Sequence, residues 1–283
     1  MTDETRIGVC CPGGGAAGAA QAGMLCALNE LFQAGKIHTV SGASVGSLNA
    51  CMAVQGDFSE LWQLWSGIRR QDVYSRWQLA RIFSGGVYST KPLQRLIDKY
   101  VDPERVEGAH TKLYVQACDR DTGEPVVWHT GNGYGDLRTM LLASASIPVL
   151  FPQVEARGCW LVDGGVVDNS PMEWLIREQC NEIWVLHCHT DSRPKRKEGQ
   201  RTRLSMLAHT VRLLYRANQK HDLRIIKMHN ALLKHSVGKR EIAVHEIFPT
   251  FDVGTLDFDS RVATRALQDG YEAARAATTG GTA

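Results

Sequence analysis

Residues 42–46 read Gly-Ala-Ser-Val-Gly, a G-x-S-x-G pentapeptide with Ser44 between a strand-like run and a small, apolar, helix-compatible stretch. This pattern is typical of a sharp strand-to-helix turn that presents a serine hydroxyl at a helix N-terminus, as an acyl-transfer nucleophile requires. Gly42 and Gly46 let neighbouring backbone approach the turn without a Cβ clash. Because Gly, Ala and Ser are common residues, the pentapeptide is informative only together with partners elsewhere in the chain.

A glycine-rich loop precedes the pentapeptide. A strand-like run over residues 6–11 leads into Gly13-Gly14-Gly15-Ala16-Ala17-Gly18, and a helix is predicted over residues 19–33. Such a loop binds anions, because backbone N–H groups and the helix dipole both point into it. Its spacing also fits the dinucleotide-binding G-x-G-x-x-G, which needs an acidic residue about 20 positions further on. At that distance the chain has instead the strand that leads into Ser44. An oxyanion hole therefore explains the glycine loop better than dinucleotide binding does.

A candidate proton acceptor lies further along the chain. The apolar run at residues 160–162 ends in Asp163, Gly164 and Gly165, and Asp168-Asn169-Ser170-Pro171 follows shortly after. Asp-Gly is also an ordinary turn dipeptide, and in isolation this motif indicates only a turn. The second carboxylate, Asp168, is interpreted as a residue that caps or orients the turn after it.

Together these motifs resemble those of the patatin-like phospholipase family, and the resemblance covers nearly the whole chain. The family's loop of the type G-G-G-x-[R/K]-G matches residues 13–18, and its G-x-S-x-G matches residues 42–46. The segment 143–152, Ala-Ser-Ala-Ser-Ile-Pro-Val-Leu-Phe-Pro, resembles the family's block before the aspartate strand. The Asp-Gly-Gly block completes the set. One departure is Ala17, which stands where the family usually carries Arg or Lys.

The resemblance implies a three-layer α/β/α fold and a phospholipase A-type lipid acyl hydrolase that needs no metal or organic cofactor. Its Ser–Asp dyad would consist of Ser44 as nucleophile and Asp163 as base, without a histidine. An unperturbed Asp is ionised at neutral pH and can therefore accept the proton. The remaining implied site residues are the oxyanion-hole glycines Gly13, Gly14, Gly15 and Gly18, the elbow glycines Gly42 and Gly46, and Gly164 and Gly165 after the base.

Two other functions stay open. The first is a Ser-His-Asp esterase or thioesterase that uses His187, His189 or His245 as its base. The second is a catalytically silent lipid-binding protein, which the missing cation at Ala17 makes conceivable.

Composition predicts one large α/β domain over residues 1–283, with the motif core at about 5–190 and a last helix at about 259–277. The chain is 43% hydrophobic and 22% charged, which is ordinary for a globular protein. Eight cysteines without regular spacing indicate reduced thiols. No basic-then-apolar leader and no membrane-spanning apolar run are found, so we expect a cytoplasmic protein, with peripheral membrane contact as a further expectation.

Three local patterns complete the prediction. Asp57 and Glu60 predict a capped amphipathic helix after residue 57, and residues 77–100 are candidates for one wall of an acyl-binding cleft. The segment 180–189 contains two Cys and two His, but no second ligand pair with metal-site spacing follows it. We therefore expect no metal site there.

Positive charge is concentrated in residues 193–240, the basic segment, which holds fourteen Lys or Arg and two acids. The rest of the chain carries ten more acids than bases. Two apolar faces are predicted within the segment, Leu207-Val211-Leu214 and Ile225-Met228-Leu232. Basic amphipathic helices suit an anionic membrane surface, which with a phospholipid substrate is the expected partner. A nucleic-acid partner is not expected, and packing of the apolar faces with merely solvated charges is the alternative.

Overall fold

The computed structural model describes residues 5–76, 86–131, 137–191 and 241–279, and six residues within 192–240. Most of the basic segment, including Arg193, Lys195, Arg196 and Lys197, lies outside the described residues. So do the predicted face Leu207-Val211-Leu214 and the first part of the predicted cleft wall, residues 77–85.

Ten strands are formed within the described ranges: β1 (Ile7–Cys11), β2 (Ile37–Ala43), β3 (Ser75–Arg76), β4 (Tyr88–Ser89), β5 (Lys112–Asp119), β6 (Pro125–His129), β7 (Val154–Ala156), β8 (Cys159–Asp163), β9 (Glu182–Leu186) and β10 (Ala243–Ile247). Eight of them form a mixed sheet in the order β10-β9-β1-β2-β5-β8-β7, with β6 paired to β5. The strands from β10 to β5 run parallel, whereas β6, β8 and β7 pair antiparallel. Strands β3 and β4 form a separate antiparallel pair.

The helices in the same ranges are α1 (Gly18–Ala27), α2 (Asn29–Gln33), α3 (Val45–Val54), α4 (Phe58–Gly67), α5 (Arg70–Val73), α6 (Lys91–Tyr100), α7 (Pro103–Glu107), α8 (Leu137–Ser144), α9 (Glu173–Arg177) and α10 (Ser260–Thr279). Short 3-10 turns occur at Gly15–Ala17 and Gly164–Val166. The helix predicted over residues 19–33 is interrupted at Leu28. The N–H of Leu28 is shared between the carbonyl oxygens of Met24 and Leu25, which tightens the last turn of α1 and ends it.

Helices cover both faces of the sheet, and the alternation along β1 shows how. Val9 and Cys11 point into a large core shared with α1, α3, α8 and α10, while Cys10 points into a smaller core on the other face. The smaller core contains Leu175 of α9 and Ile226. The three-layer α/β/α fold expected from the sequence is confirmed.

The order of strands brings the sequence motifs to one edge of the sheet. Parallel strands β1 and β2 are in register from Gly8 with Thr39 to Cys11 with Gly42. Their carboxyl ends therefore meet at the same edge, where ligands of open α/β sheets bind. The glycine loop follows β1 directly, and Ser44 follows β2 directly.

The predicted helix after Asp57 is present as α4, but the predicted cap is wrong. The Asp57 side chain makes no capping hydrogen bond. Its carboxylate instead accepts hydrogen bonds from Gln55 Nε2 at 2.8 Å and from the Arg105 guanidinium at 2.8 and 3.0 Å. A charge-assisted contact with Arg is stronger than a neutral cap, so the carboxylate turns towards Arg105.

Of the apolar face predicted from Ile225, Met228 and Leu232, only Met228 lies among the described residues. Met228 is 66% exposed, whereas Ile226 is 2% exposed and packs in the smaller core. Asn230, four residues after Ile226, donates to the Ile242 carbonyl oxygen at 2.8 Å and accepts from its N–H at 3.0 Å. These two bonds tie the Ile226–Asn230 face to the chain just before β10 and leave Met228 outward.

The eight cysteines are all free, and six of them are buried. Burial raises the pKa of the Cys118 and Cys180 thiols to about 11, so both stay protonated at neutral pH. Within the described ranges, no helix is both long enough and apolar enough to cross a bilayer.

Candidate active site

Ser44 occupies a strained turn between β2 and α3, with φ 55° and ψ −134°. Positive φ is uncommon for a non-glycine residue and is found where surrounding structure holds the backbone in place. Here the surroundings are very close. A Cβ on Gly46 would lie 1.9 Å from the Cys11 carbonyl oxygen, and one on Gly42 would lie 2.6 Å from Ser47 Cα. Both glycines of the pentapeptide are therefore sterically required.

Hydrogen bonds to Ser144, at the end of α8, hold the turn rigidly. The Ser44 N–H donates to Ser144 Oγ at 3.0 Å, and Ser144 Oγ donates to the Gln116 carbonyl oxygen at 2.6 Å. Ser47 Oγ donates to the Ser44 carbonyl oxygen at 2.7 Å. Ser144 belongs to the 143–152 block, for which the sequence indicated no role. The one signal in the sequence was its place directly after the apolar run Met140-Leu141-Leu142-Ala143.

The glycine loop has two backbone N–H groups available as oxyanion donors, not four. The Gly13 N–H donates to Asn169 Oδ1 at 3.1 Å, and the Gly18 N–H donates to carbonyl oxygens of the preceding turn. Among the hydrogen bonds of the described residues, none uses the N–H of Gly14 or Gly15. The N–H groups of Gly13 and Gly18, both expected as oxyanion donors, thus make hydrogen bonds within the protein.

Asn169 links the glycine loop to the loop that carries Asp163. It accepts from the Gly13 N–H, and its Nδ2 donates to the Gly13 carbonyl oxygen at 3.3 Å. A Cβ on Gly13 would lie 2.7 Å both from Asn169 Oδ1 and from Ser44 Cβ. The sequence did not indicate this role for Asn169, since its partner is 156 positions away.

Asp163 lies at the end of β8 and is fully buried. Its Oδ1 accepts from the Gly165 N–H at 2.8 Å, and its own N–H donates to the Ser146 carbonyl oxygen at 2.9 Å. Ser144, two residues before Ser146, holds the Ser44 turn. Ser44 and Asp163 are therefore both attached to the C-terminal end of α8 and the two residues after it, although Asp163 does not line the pocket beside Ser44.

Asp168 has the capping contact expected from the sequence. Its Oδ1 accepts from the Ser170 N–H at 2.8 Å, and its carbonyl oxygen accepts from Gln116 Nε2 at 2.9 Å.

An apolar pocket opens beside Ser44, with a volume of about 810 Å³ including its solvent-open mouth. The second part of the predicted cleft wall is confirmed, because α6 lines the pocket with Leu93, Leu96, Ile97 and Tyr100. The other lining residues are Gly15, Val45, Leu48, Asn49, Met52, Leu64, Trp65, Ile68, Val73, Val101, Ala145, Ile147, Phe151, Thr255, Leu256 and Phe258.

Residues 255–258 close the pocket next to the glycine loop. The Ala16 N–H donates to the Thr255 carbonyl oxygen at 2.9 Å, and Tyr74 Oη donates to the Leu256 carbonyl oxygen at 3.1 Å. Phe258 stacks on Trp65 with ring centroids 6.4 Å apart. Nothing in the sequence indicated that residues 255–258 would line this pocket.

Ala17, which stands where the family usually has Arg or Lys, is fully buried in the larger core. A lysine or arginine there would have to bury its charge or displace neighbouring side chains, which is costly. The packing at this position therefore favours alanine. Any hydrogen-bond donors for an anion in the loop then come from the backbone N–H groups.

The three histidines of the alternative triad lie near β9 and β10, and none lines the pocket. His187 stacks on Phe248, and its Nε2 is 3.1 Å from Glu246 Oε1. His245 Nε2 is 3.5 Å from Glu182 Oε1. His189 Nδ1 is 3.4 Å from Asp252 Oδ1, and its Nε2 would lie 3.6 Å from a Cβ on Gly14. His189 is thus the one of these three that lies beside the glycine loop.

In the part of the chain that the structure describes, no group of three or more His, Cys, Asp or Glu is placed to hold a metal ion. Cys188 Sγ instead donates to the Pro12 carbonyl oxygen at 3.3 Å, and Cys180 packs in the smaller core.

The comparisons with known proteins agree with this geometry. The family model described as patatin-like phospholipase matches residues 9–176, which is more than half of the chain. The chain belongs to the patatin-like phospholipase family. Among curated proteins, it is 29% identical over 199 residues to the lysophospholipase NTE1 of Candida glabrata, covering 68% of this chain but only 11% of that relative.

The fold also matches a solved structure. The crystal structure of VipD from Legionella pneumophila superposes with a TM-score of 0.56 at 16% identity, covering 99% of this chain and 67% of VipD. At this identity the likeness concerns the fold. The patatin-family match ends at residue 176, so the pocket wall at residues 255–258 lies beyond it.

Proposed function

We propose that this patatin-like protein hydrolyses acyl esters of membrane lipids, with Ser44 as nucleophile and Asp163 as its base. The observation that carries the proposal is the strained Ser44 turn, which stands beside both the unused amides of Gly14 and Gly15 and an apolar pocket. An acyl-transfer site needs these three parts, a nucleophile, an oxyanion hole and an acyl pocket, in contact with one another.

In the first half of the reaction, Ser44 Oγ attacks the ester carbonyl carbon and passes its proton to the Asp163 carboxylate. The carbonyl oxygen becomes an oxyanion that accepts hydrogen bonds from the Gly14 and Gly15 N–H groups. The tetrahedral intermediate then breaks its bond to the alcohol oxygen, which takes the proton from Asp163 and leaves. An acyl-enzyme on Ser44 remains.

In the second half, a water molecule attacks the acyl-enzyme carbonyl and gives its proton to Asp163. The same two amides stabilise the second oxyanion. Collapse releases the fatty acid while Ser44 Oγ recovers a proton from Asp163, so the protein returns to its starting state.

The lining of the pocket supports an apolar acyl substrate. Its walls are almost wholly apolar, and Asn49, one of its few polar lining residues, uses its Oδ1 to accept from Trp65 Nε1 at 2.9 Å. The family membership and the name of the Candida glabrata relative, a lysophospholipase, favour a phospholipid or lysophospholipid.

Covalent labelling tests the proposal directly. A fluorophosphonate probe should modify Ser44 and no other serine, because only an activated serine beside an oxyanion hole reacts quickly with such probes. Peptide mass spectrometry identifies the modified residue, and prior incubation with lysophosphatidylcholine should slow the labelling. A protein that is folded but neither labelled nor active on lipid esters would instead be a silent lipid-binding protein.

A Ser-His-Asp triad would give a different result in the same labelling assay. If His189 were the base, its replacement by alanine would lower the labelling rate by orders of magnitude, as loss of a triad member does. Under the dyad mechanism, the His189→Ala protein should label at a rate close to that of the unmodified protein.

We further propose that the basic segment recruits the protein to anionic membranes as a peripheral protein. Its net positive charge supports this, since each Lys or Arg near an anionic leaflet contributes about 1 kcal/mol. Replacing Arg193, Lys195, Arg196 and Lys197 by Glu should weaken binding to phosphatidylglycerol-containing vesicles by on the order of tenfold or more and flatten its salt dependence. Vesicle sedimentation across a salt series measures both effects.

The matched control reverses Arg261 and Arg275 of α10, which changes net charge outside the basic segment. The control reverses half as much charge, so a loss of about half the binding free energy in the control would show that only overall charge matters. If vesicle binding changes neither with salt concentration nor with charge reversal, the basic segment is only a solvated surface.

A further inference from the structure

Two valines, Val87 and Val149, form an exposed apolar pair. They are 45% and 55% exposed, respectively. Their backbones are joined, because the Val87 N–H donates to the Val149 carbonyl oxygen at 3.0 Å and Gly86 forms a bridge with Val149. The pair is therefore a fixed feature of the surface, and we call it the valine rim.

Val149 is held in a backbone conformation that its side chain disfavours. Its φ is +69°, in the left-handed region, where a β-branched residue is a genuine outlier. The turn is enforced from both sides, since the Phe151 N–H donates to the Ile147 carbonyl oxygen and the Tyr88 N–H to the Leu150 carbonyl oxygen, both at 2.9 Å. Glycine or asparagine would fit this backbone with less strain.

An outward valine in a strained turn contributes little to the core and costs conformational free energy. Strain of this kind persists where it serves a functional site. The location is informative, because Ile147 and Phe151, on either side of Val149, both line the acyl pocket. The valine rim is therefore joined through the backbone to two residues of the pocket wall.

Basic side chains follow the rim closely in the sequence. Helix α6, which lines the pocket with its apolar face, begins four residues after Val87. In its first two turns the charged residues are Lys91 and Arg95, and both are exposed. Apolar side chains flanked by Lys and Arg are the combination that binds at the headgroup level of an anionic lipid surface.

We propose that the valine rim inserts into an anionic lipid surface at the mouth of the acyl pocket. The inference rests on the proposed lipid hydrolysis and names how the substrate reaches Ser44. An acyl chain that leaves the lipid surface across Val87 and Val149 stays in apolar contact until it enters the pocket, so it need not cross water. This contact is separate from the basic segment, which would act through charge.

The test uses the double variant Val87→Ser, Val149→Asn. Binding to phosphatidylcholine vesicles containing phosphatidylglycerol is measured by sedimentation in a Ser44→Ala background, so that it does not depend on hydrolysis. It is repeated in 1 M salt, where a Debye length of about 3 Å suppresses the contribution of the basic segment. We expect binding in high salt to fall about tenfold, in keeping with the apolar area removed.

Two further measurements separate the rim from the catalytic site and from the fold. With Ser44 intact, hydrolysis of p-nitrophenyl butyrate, a water-soluble ester, should stay unchanged, while hydrolysis of vesicle lipid falls. Val149→Asn alone should not lower the melting temperature, because asparagine tolerates the left-handed backbone. The control Trp160→Ser removes another exposed apolar side chain, on β8, and should not affect vesicle binding.

Vesicle binding of the double variant equal to that of its parent, or an equal loss in Trp160→Ser, would overturn the proposal. The proposal would also be overturned if the unmodified protein formed a dimer and the double variant were monomeric. The rim would then be an interface between two copies of the chain. A protein that binds vesicles through the rim but hydrolyses neither ester would refute the proposed function and leave the rim proposal standing.

Discussion

A Ser44→Ala protein is expected to fold normally and to lose lipid ester hydrolysis by at least about three orders of magnitude, as removal of a serine nucleophile does. The acyl-enzyme cannot form without Oγ, while the turn itself does not depend on that atom. The backbone N–H of residue 44 still donates to Ser144, and Ser47 still donates to the carbonyl oxygen of residue 44. Steady-state hydrolysis of lysophosphatidylcholine and thermal unfolding together measure the effect.

Ser47→Ala provides a matched control with the opposite pattern. It removes a buried hydroxyl three residues away that bonds the Ser44 carbonyl oxygen, and should cost about 1 kcal/mol of unfolding free energy. Because the nucleophile remains, its activity should fall far less than that of Ser44→Ala. Near-normal hydrolysis by a folded Ser44→Ala protein would refute the assignment of the nucleophile.

Asp163→Asn should lower the rate of acylation by roughly a hundred- to ten-thousand-fold, the usual contribution of a general base. The amide keeps the shape of the carboxylate, and its oxygen can still accept from the Gly165 N–H, so the loop should hold its position. Only the ability to take the Ser44 proton is lost. Pre-steady-state release of p-nitrophenol from a soluble ester isolates this step.

Asp168→Asn is the control for this prediction. Asn can also accept from the Ser170 N–H, so the capping contact survives and hydrolysis should change little. If Asp168→Asn abolished the activity and Asp163→Asn did not, the base would have been assigned to the wrong carboxylate.

Local features of the site could be predicted from the sequence. The spacing of Gly42, Ser44 and Gly46 indicated a strand-to-helix turn, and the structure has β2 ending at Ala43 and α3 beginning at Val45. The strands before the glycine loop and before Asp163 were likewise indicated by short apolar runs. These predictions hold because backbone conformation in a glycine turn and burial of an apolar strand depend mainly on neighbouring residues.

Predictions that required a particular partner were less successful. Asp57 was expected to cap α4, and Arg105, 48 residues away, takes its carboxylate instead. The sequence left open whether the face containing Met228 packs on the domain; Met228 is exposed, and the bonds of Asn230 to Ile242 lie on the side of the buried Ile226. In each case the local pattern allowed two arrangements, and a contact between distant parts of the chain selected one.

The sequence by itself determined the three-layer fold, the serine turn and the candidate carboxylate. Only the tertiary structure decided which glycine amides remain available, because Asn169 occupies that of Gly13 from 156 residues away. It also decided that Ser144 supports the turn and that Thr255 closes the glycine loop. A side-chain hydrogen bond needs atoms within about 3 Å of each other, and for residues far apart in sequence that proximity is created only when the sheet and its helices pack together.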